Sequence, residues 1–326
     1  MEAIKKICYL VIAHKGKEQL IQLVNALKTD NTDVFIHIDA LSQIKNSDFD
    51  NENCIVLNNR IHGILFDYSL VEIELRLLRA AFEYSKRNNV QYMYYCLLSG
   101  QDFPLVSQSR IWRELQSSYP KAFIDCTPQS SRNWLAKRAK HITLYSKYYP
   151  KIISVTSHLD SLFLKKIIRA PFVIFDKLLT PFFSVQRQLD KAGISLYGGS
   201  QWWILPDIIV EWIIQECRND TKTKYKIIHN IYGPDETFFQ TLTMTGKFKG
   251  LIEVNEPSIN TQNSKTFAYF NKKNSPIVGH PYVFTIEDKD LLLEKVENYF
   301  FARKFDSSID QQIIDYIKCS LIEGQY

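Results

Sequence analysis

A carboxylate pair at a sharp turn is the strongest chemical signal in the sequence: Gly233-Pro234-Asp235-Glu236, followed by Thr237-Phe238-Phe239-Gln240. Gly233 suits an N-cap. Pro234 suits the first helical position, where its missing N–H leaves no bond unmade. Asp235 and Glu236 then fall in the first helical turn, where the helix dipole favours negative charge. A carboxylate held ionised at such a boundary can serve as a general base. Helix stabilisation alone would also account for both acids. A second candidate is Arg303-Lys304, set between Phe301 and Phe305. Fixed cations with apolar neighbours can neutralise a departing diphosphate. A third is Gly198-Gly199-Ser200-Gln201-Trp202-Trp203. Paired glycines permit close backbone approach, Ser and Gln offer hydrogen bonds, and Trp faces can hold a sugar. The alternative for this run is a turn into a buried strand over 202–205.

Other chemistries lack their patterns. The seven histidines form no H-x-x-x-H or H-E-x-x-H spacing, which argues against zinc. Two D-x-D triplets occur, Asp48-Phe49-Asp50 and Asp288-Lys289-Asp290. One falls in a polar loop before a strand and the other at a helix start, so both read as solvated acids. There is no G-x-G-x-x-G, no P-loop and no G-x-S-x-G elbow.

The elements that must carry these groups read as alternating strands and helices. Residues 7–13 are a continuous apolar run, the mark of a strand buried on both faces. His14-Lys15-Gly16 is a turn, and 17–28 places Leu20, Leu23, Val24 and Leu27 at helical spacing. Residues 34–38 make a second strand ending at Asp39, and 54–57 a short third. Ser69-x-x-Glu72 reads as a capping box opening a helix with Leu70, Ile73, Leu77 and Ala81 on its core face. Residues 92–98 form another strand, closing in Ser99-Gly100-Gln101-Asp102. This alternation predicts an α/β fold with a mostly parallel central sheet flanked by helices. Ligands of such sheets sit beyond the strand carboxyl ends. That rule gathers His14, Lys15, Asp39, Gln101 and Asp102 around one cleft. Residues 132–191 differ, being rich in Lys, Tyr and Phe, and read as a helical insertion or lid. Within it, 159–183 interleaves cations with bulky apolar residues and could touch a membrane surface.

The bulk properties set bounds. A chain of 326 residues can bury one large core, and 45% hydrophobic with 23% charged residues is ordinary for a globular protein. The net charge of +5 is mild, and no Lys/Arg block is dense enough for nucleic acid. The six cysteines are widely spaced without C-x-x-C and read as reduced, in a cytoplasmic setting. The N-terminus shows no signal-peptide pattern, and no uncharged stretch reaches transmembrane length.

Taken in chain order, residues 9–15, 35–39, 69–72, 97–105, 197–203, 234–236 and 301–306 resemble the core-2/I-branching N-acetylglucosaminyltransferases, glycosyltransferase family 14, which includes peptide O-xylosyltransferases. The resemblance covers nearly the whole chain as one glycosyltransferase domain. It implies a GT-A-like fold and inverting transfer from a UDP-sugar, first UDP-GlcNAc and second UDP-xylose, to a glycan hydroxyl, with no obligatory metal or other cofactor. It places the family's general base on Glu236 and its diphosphate-binding cation on Lys304, with Arg303 as neighbour. His14, Lys15, Asp39, Gln101 and Asp102 would bind the donor. Gly199, Ser200, Gln201, Trp202, Trp203 and Asp235 would line the sugar and acceptor side, with Asp235 as a first-turn acid helping to hold Glu236. The sequence departs from the family at Leu65-Phe66-Asp67, where Trp-Gly is common, and at Asn271, where Trp is common. Tyr282 stands where a basic residue is common, which would leave the diphosphate more dependent on Lys304. Without an anchor pattern or disulfides, the chain is similar to a bacterial cytoplasmic member, peripheral at the inner membrane face. The rivals are a glycoside hydrolase, pairing Glu236 with Asp102 or Asp235, and a non-catalytic carbohydrate-binding protein.

Overall fold

A computed structural model of the chain describes residues 5–50, 52, 54–131, 133–140, 164, 167–168, 170–171, 174–175, 178, 184–218, 224–254, 263–270 and 281–322. β1 (Lys6–Ala13) is the central strand, because its apolar run leaves no face that could meet water. It pairs in parallel with β2 (Thr32–Ile38) on one side and with β4 (Tyr92–Ser99) on the other. β3 (Ile55–Val56) extends the parallel edge beside β2. Beyond β4 the sheet turns antiparallel, through β8 (Trp203–Pro206), β6 (Ala122–Pro128) and β7 (Tyr197–Gly198). β9 (Ile252–Val254) pairs in parallel with β6 and completes an eight-stranded sheet of order β3-β2-β1-β4-β8-β6-β7.

Alternate residues of β1 feed two cores. Cys8 and Leu10 pack on one face with Ile73, Leu77 and Ala81 of α2 (Ser69–Asn88), and with Ile209 and Ile213 of α6 (Asp207–Glu216). Ile7, Tyr9 and Val11 pack on the other with Leu20, Leu23 and Leu27 of α1 (Lys17–Leu27) and Ile111 and Leu115 of α3 (Gln108–Ser118). Each fully buried Leu or Ile contributes about 1.5–3 kcal/mol relative to exposure. A one-residue slip of β1 would exchange the two sets and mismatch both layers. The result is the mixed α/β architecture, with helices on both faces, that the alternation of elements predicts.

One local expectation is corrected. Ser69 and Glu72 do not form a capping box. The N-cap is Tyr68, so Ser69 already lies inside the helix. Its Oγ accepts from the Ile64 N–H at 2.9 Å, its own N–H donates to Asp67 Oδ1, and Glu72 pairs with Arg76 one turn on. The C-terminal basic segment forms a strand. β11 (Phe301–Arg303) pairs with β5 (Asp102–Pro104) and β10 (Thr266–Ala268) in a second, three-stranded sheet. That sheet fastens the end of the chain to the carboxyl end of β4.

Of the expected insertion, α4 (Asn133–Lys140) and α5 (Val185–Lys191) are helical. The isolated described residues between 164 and 178 are helical too. Most of 141–183, and Asn271, lie outside the described residues. None of the six cysteines forms a disulfide.

Candidate active site

The carboxyl ends of the parallel strands meet as the sheet rule predicts. The Asp39 N–H donates to Ala13 O at 2.8 Å, and the Gly100 N–H donates to Ile12 O at 2.9 Å. Beside these ends lies a cavity of about 580 Å³, walled by 14–17 after β1 and by Leu41 to Lys45 and Asp48 after β2. That volume suits a nucleotide-sized ligand. Gly16 turns the chain into α1 at φ 71, the left-handed region that glycine enters without strain. His14 and Lys15 line the cavity. Asp48 does too, so the first D-x-D is not a purely solvated surface feature. Its oxygens are engaged by the Lys45 N–H and, at 3.8 Å, by the Lys17 ammonium.

Asp39 faces its own loop rather than the cavity. It accepts from the Leu41 and Gly63 N–H groups at 2.8 and 2.7 Å and from the His62 ring at 3.0 Å. Burial pushes its carboxyl up, but these donors outweigh it and hold the group below the usual Asp value. Asp39 therefore shapes the cavity wall.

A cluster of cations stands at the same edge. Lys15 Nζ pairs with Asp306 at 2.9 Å. Arg303 Nε lies 3.1 Å from Asp102 Oδ1, both groups withdrawn from solvent, and its guanidinium stacks 4.1 Å over the Trp202 ring. Among the described residues Lys304 makes no ion pair. Burial, and then Arg303, bring its ammonium down to about 8. Burial first, then Lys15 and Lys304, also lower the His14 imidazole. Like charges are thus crowded around Lys304, which is the condition that favours binding an anion.

Several expected ligand contacts prove to be framework. Asp102 is fully buried; it accepts from the Ser99 N–H at 2.8 Å and from the Ser99 hydroxyl at 2.5 Å. Burial drives its carboxyl above the ordinary value despite Arg303 and Ser99. Gln101 is also buried, and its carbonyl accepts from the Phe305 N–H at 2.8 Å, fixing the segment that carries Lys304. Trp203 is fully buried and donates its indole N–H to Glu74 at 3.4 Å, while Trp202 is covered by Arg303. Neither ring presents a face to a sugar. Their apolar area went to the core, the outcome expected of large aromatics beside a central strand. Gln201 donates to Glu74 at 2.8 Å. Gly199 is required for close approach: a Cβ there would lie 1.9 Å from the Asp125 carbonyl oxygen.

The same segment reaches the carboxylate turn. The Gly199 N–H donates to the Glu236 carbonyl at 3.0 Å, and Gln240 donates to the Ser200 carbonyl at 2.7 Å. Pro234–Glu236 is one 3₁₀ turn led by Gly233 at φ 69, and α7 (Phe238–Thr245) follows it. Asp235 points inward. Burial, then the Glu236 charge, raise its carboxyl to about 7. It therefore takes up a proton far more readily than the ionised first-turn acid that the sequence suggests. Glu236 keeps its side chain about one-third exposed and meets Arg138 Nη1 at 2.6 Å. Arg138 was invisible to motif reading, because it lies in the basic insertion 98 residues before its partner. Glu74 was missed as well, since a lone acid on an amphipathic helix usually faces water. It is fully buried, and desolvation holds its carboxyl well above the ordinary value. With Asp102 and Asp235 both buried, neither can face a glycosidic bond opposite Glu236, as a two-carboxylate hydrolase requires.

The model of the core-2/I-branching enzyme family matches residues 7–291. The chain is 20% identical over 338 aligned positions to the zebrafish (Danio rerio) protein "Beta-1,3-galactosyl-O-glycosyl-glycoprotein beta-1,6-N-acetylglucosaminyltransferase 4", covering 98% of this chain and 70% of that one. Among solved structures, a cytidylyltransferase from Leptospira borgpetersenii aligns with 48% of this chain and 72% of its own, at 14% identity and a TM-score of 0.25. That likeness carries no functional argument.

Removing Asp102 leaves Arg303 buried without a counter-charge. Asp102→Ala should lower stability by about 3–5 kcal/mol, read as a shift in urea midpoint with unchanged slope. A change under about 0.5 kcal/mol, the range of an ordinary surface substitution, would show that the pair is not what balances Arg303.

Proposed function

The chain belongs to the core-2/I-branching enzyme family, and from that premise we propose that it is an inverting, metal-independent transferase moving N-acetylglucosamine from UDP to a glycan hydroxyl. The observation that carries the donor half is Lys304: a crowded ammonium with no ion-pair partner among the described residues, on a segment fixed by Gln101. The acceptor half rests on Glu236, the partly exposed carboxylate of the turn. The sugar identity follows the relative's name.

In this reading Glu236 takes the proton of the acceptor hydroxyl as that oxygen attacks the anomeric carbon. The bond from that carbon to the diphosphate oxygen breaks, and its electron pair leaves with UDP. Lys304, with Lys15 and His14 nearby, balances the charge that develops there. A fixed ammonium supplies the stabilisation that a divalent cation would otherwise give. Asp235, raised by burial and by the Glu236 charge to about 7, is ionised less readily inside the turn than an ordinary Asp.

No helix among the described residues is long and apolar enough to cross a membrane. Contact with an anionic bilayer is supported by Ile167, Ile174, Phe175 and Leu178, which are 53–65% exposed. The sequence interleaves Lys165, Lys166, Arg169 and Lys177 with them.

Three outcomes are expected. In a panel of UDP-sugars with EDTA present, UDP release should be fastest from UDP-GlcNAc. Glu236→Gln should bind UDP normally yet lose about a hundredfold to ten-thousandfold in turnover; near-normal turnover would remove Glu236 as the base. EDTA inactivation reversed by Mn²⁺ would overturn metal independence. Secondly, UDP affinity should depend on the Lys304 charge. That charge is present below about 8 and lost above it, so the dissociation constant should be flat near pH 7 and rise through about pH 8–9.5 by up to tenfold per unit. Lys304→Met should bind weakly with no such rise; calorimetry showing the same rise in that variant would assign it elsewhere. Thirdly, the protein should sediment with phosphatidylglycerol-containing vesicles, less at high salt, and not with pure phosphatidylcholine. Absence from both pellets would sink the membrane contact.

A further inference from the structure

The Glu236 carboxylate does not stand alone in its turn. Asp235 lies directly behind it, buried, with an oxygen that finds no hydrogen-bond donor. Asp235 lies close enough to Glu74 of α2 to help burial raise that carboxyl. Three carboxyl groups from two elements therefore lie near one another, and Arg138 pairs with the outermost, Glu236. Its contact is one-sided. Nη1 meets Oε2 of Glu236 at 2.6 Å, and among the described residues Oε1 has no hydrogen-bond partner.

The guanidinium is held by three further features. It lies over the Trp134 ring at 4.4 Å, one turn back on α4, and over the Tyr232 ring at 5.4 Å. Tyr232 is itself stacked on Phe66 at 4.4 Å. Gly233 leaves room for it, since a Cβ there would lie 2.9 Å from Nη1. A surface arginine that merely decorates a carboxylate would not be clasped between two rings and against a glycine.

We propose that Arg138 is the positioning residue of Glu236: seated between Trp134 and Tyr232, it holds one carboxylate oxygen fixed and leaves the other free to take the acceptor's proton. This rests on Glu236 being the base. Without Arg138, the carboxylate can rotate in its exposed turn, with no other ion-pair partner among the described residues. The clasp acts on turnover rather than on donor binding, because Arg138 touches none of the cavity-lining residues 14–17 or 41–48.

The test measures UDP release from UDP-GlcNAc, with water and with a panel of p-nitrophenyl glycosides as acceptors. Arg138→Ala should lower kcat about ten- to a hundredfold, the range for a lost charge-assisted hydrogen bond. Its KM for UDP-GlcNAc and its thermal midpoint should stay near wild type. Millimolar guanidinium should restore part of the rate, and Arg138→Lys should retain more activity than Arg138→Ala. If Arg138→Ala fails to fold, the lysine variant carries the test by its kcat and unchanged KM. In the double variant with Glu236→Gln, the Arg138 effect should vanish, since nothing is left to position. An Arg138→Ala kcat equal to wild type, or losses that simply multiply in the double variant, would overturn the proposal while leaving Glu236 as the base. A fully active Glu236→Gln single variant would instead remove the reading on which it rests.

Discussion

One buried ion pair, Asp102 with Arg303, ties the site to the fold. A fully buried carboxylate is costly unless matched, and a guanidinium in the same place is equally so. Each is therefore held where the other is. Asp102 also takes both Ser99 donors at the end of β4, and Arg303 covers Trp202 at the start of β8. Three stretches of chain near 100, 202 and 303 are thereby pinned within one cluster. Lys304 follows Arg303 directly, so its position is a by-product of that cluster. The cation suited to a diphosphate is placed by charges that never meet the ligand.

The 198–203 segment carries the constraint across the sheet to the carboxylate turn. Its residues work mostly through backbone and buried contacts: Gly199 to Glu236, Ser200 to Gln240, Gln201 and Trp203 to Glu74. A segment so committed has little left to offer a ligand, but it sets the spacing between the cationic edge and Glu236. Rigid elements behind a site fix geometry more closely than loops can. The paired glycines serve this purpose at Gly199, where backbone passes backbone too closely for any side chain.

How much of this was legible depends on the range over which each signal acts. β1, β2 and β4 were visible because burial on both faces forces continuous apolar runs, and the loops at their ends follow from parallel topology. The Pro-Asp-Glu turn was visible because Gly233 and Pro234 are local punctuation. What was missed depends on partners distant in sequence. Ser69 and Glu72 fit a capping box locally, yet the chain enters that helix one residue earlier. The strands at 102–104, 266–268 and 301–303 are three residues each, too short for a period to show. The two tryptophans have the composition of a sugar platform and the position of a core, and position prevailed. Glu74 and Arg138 carry no local mark at all, since their meaning lies in Gln201, Trp203 and Glu236.

The surroundings of Glu236 show the cost of holding a charged group at a sharp turn. Gly233 sits in the left-handed region, and its N–H reaches the Phe66 carbonyl at 3.1 Å. Phe66 is itself at φ 67, which a bulky residue adopts only under constraint. Its ring stacks on Tyr232, which in turn seats Arg138. A glycine at 66 would relax the backbone and remove that stack. The strained aromatic and the arginine are therefore one device: the fold accepts an unfavourable dihedral at one residue, and Glu236 gains a cation held in a fixed place.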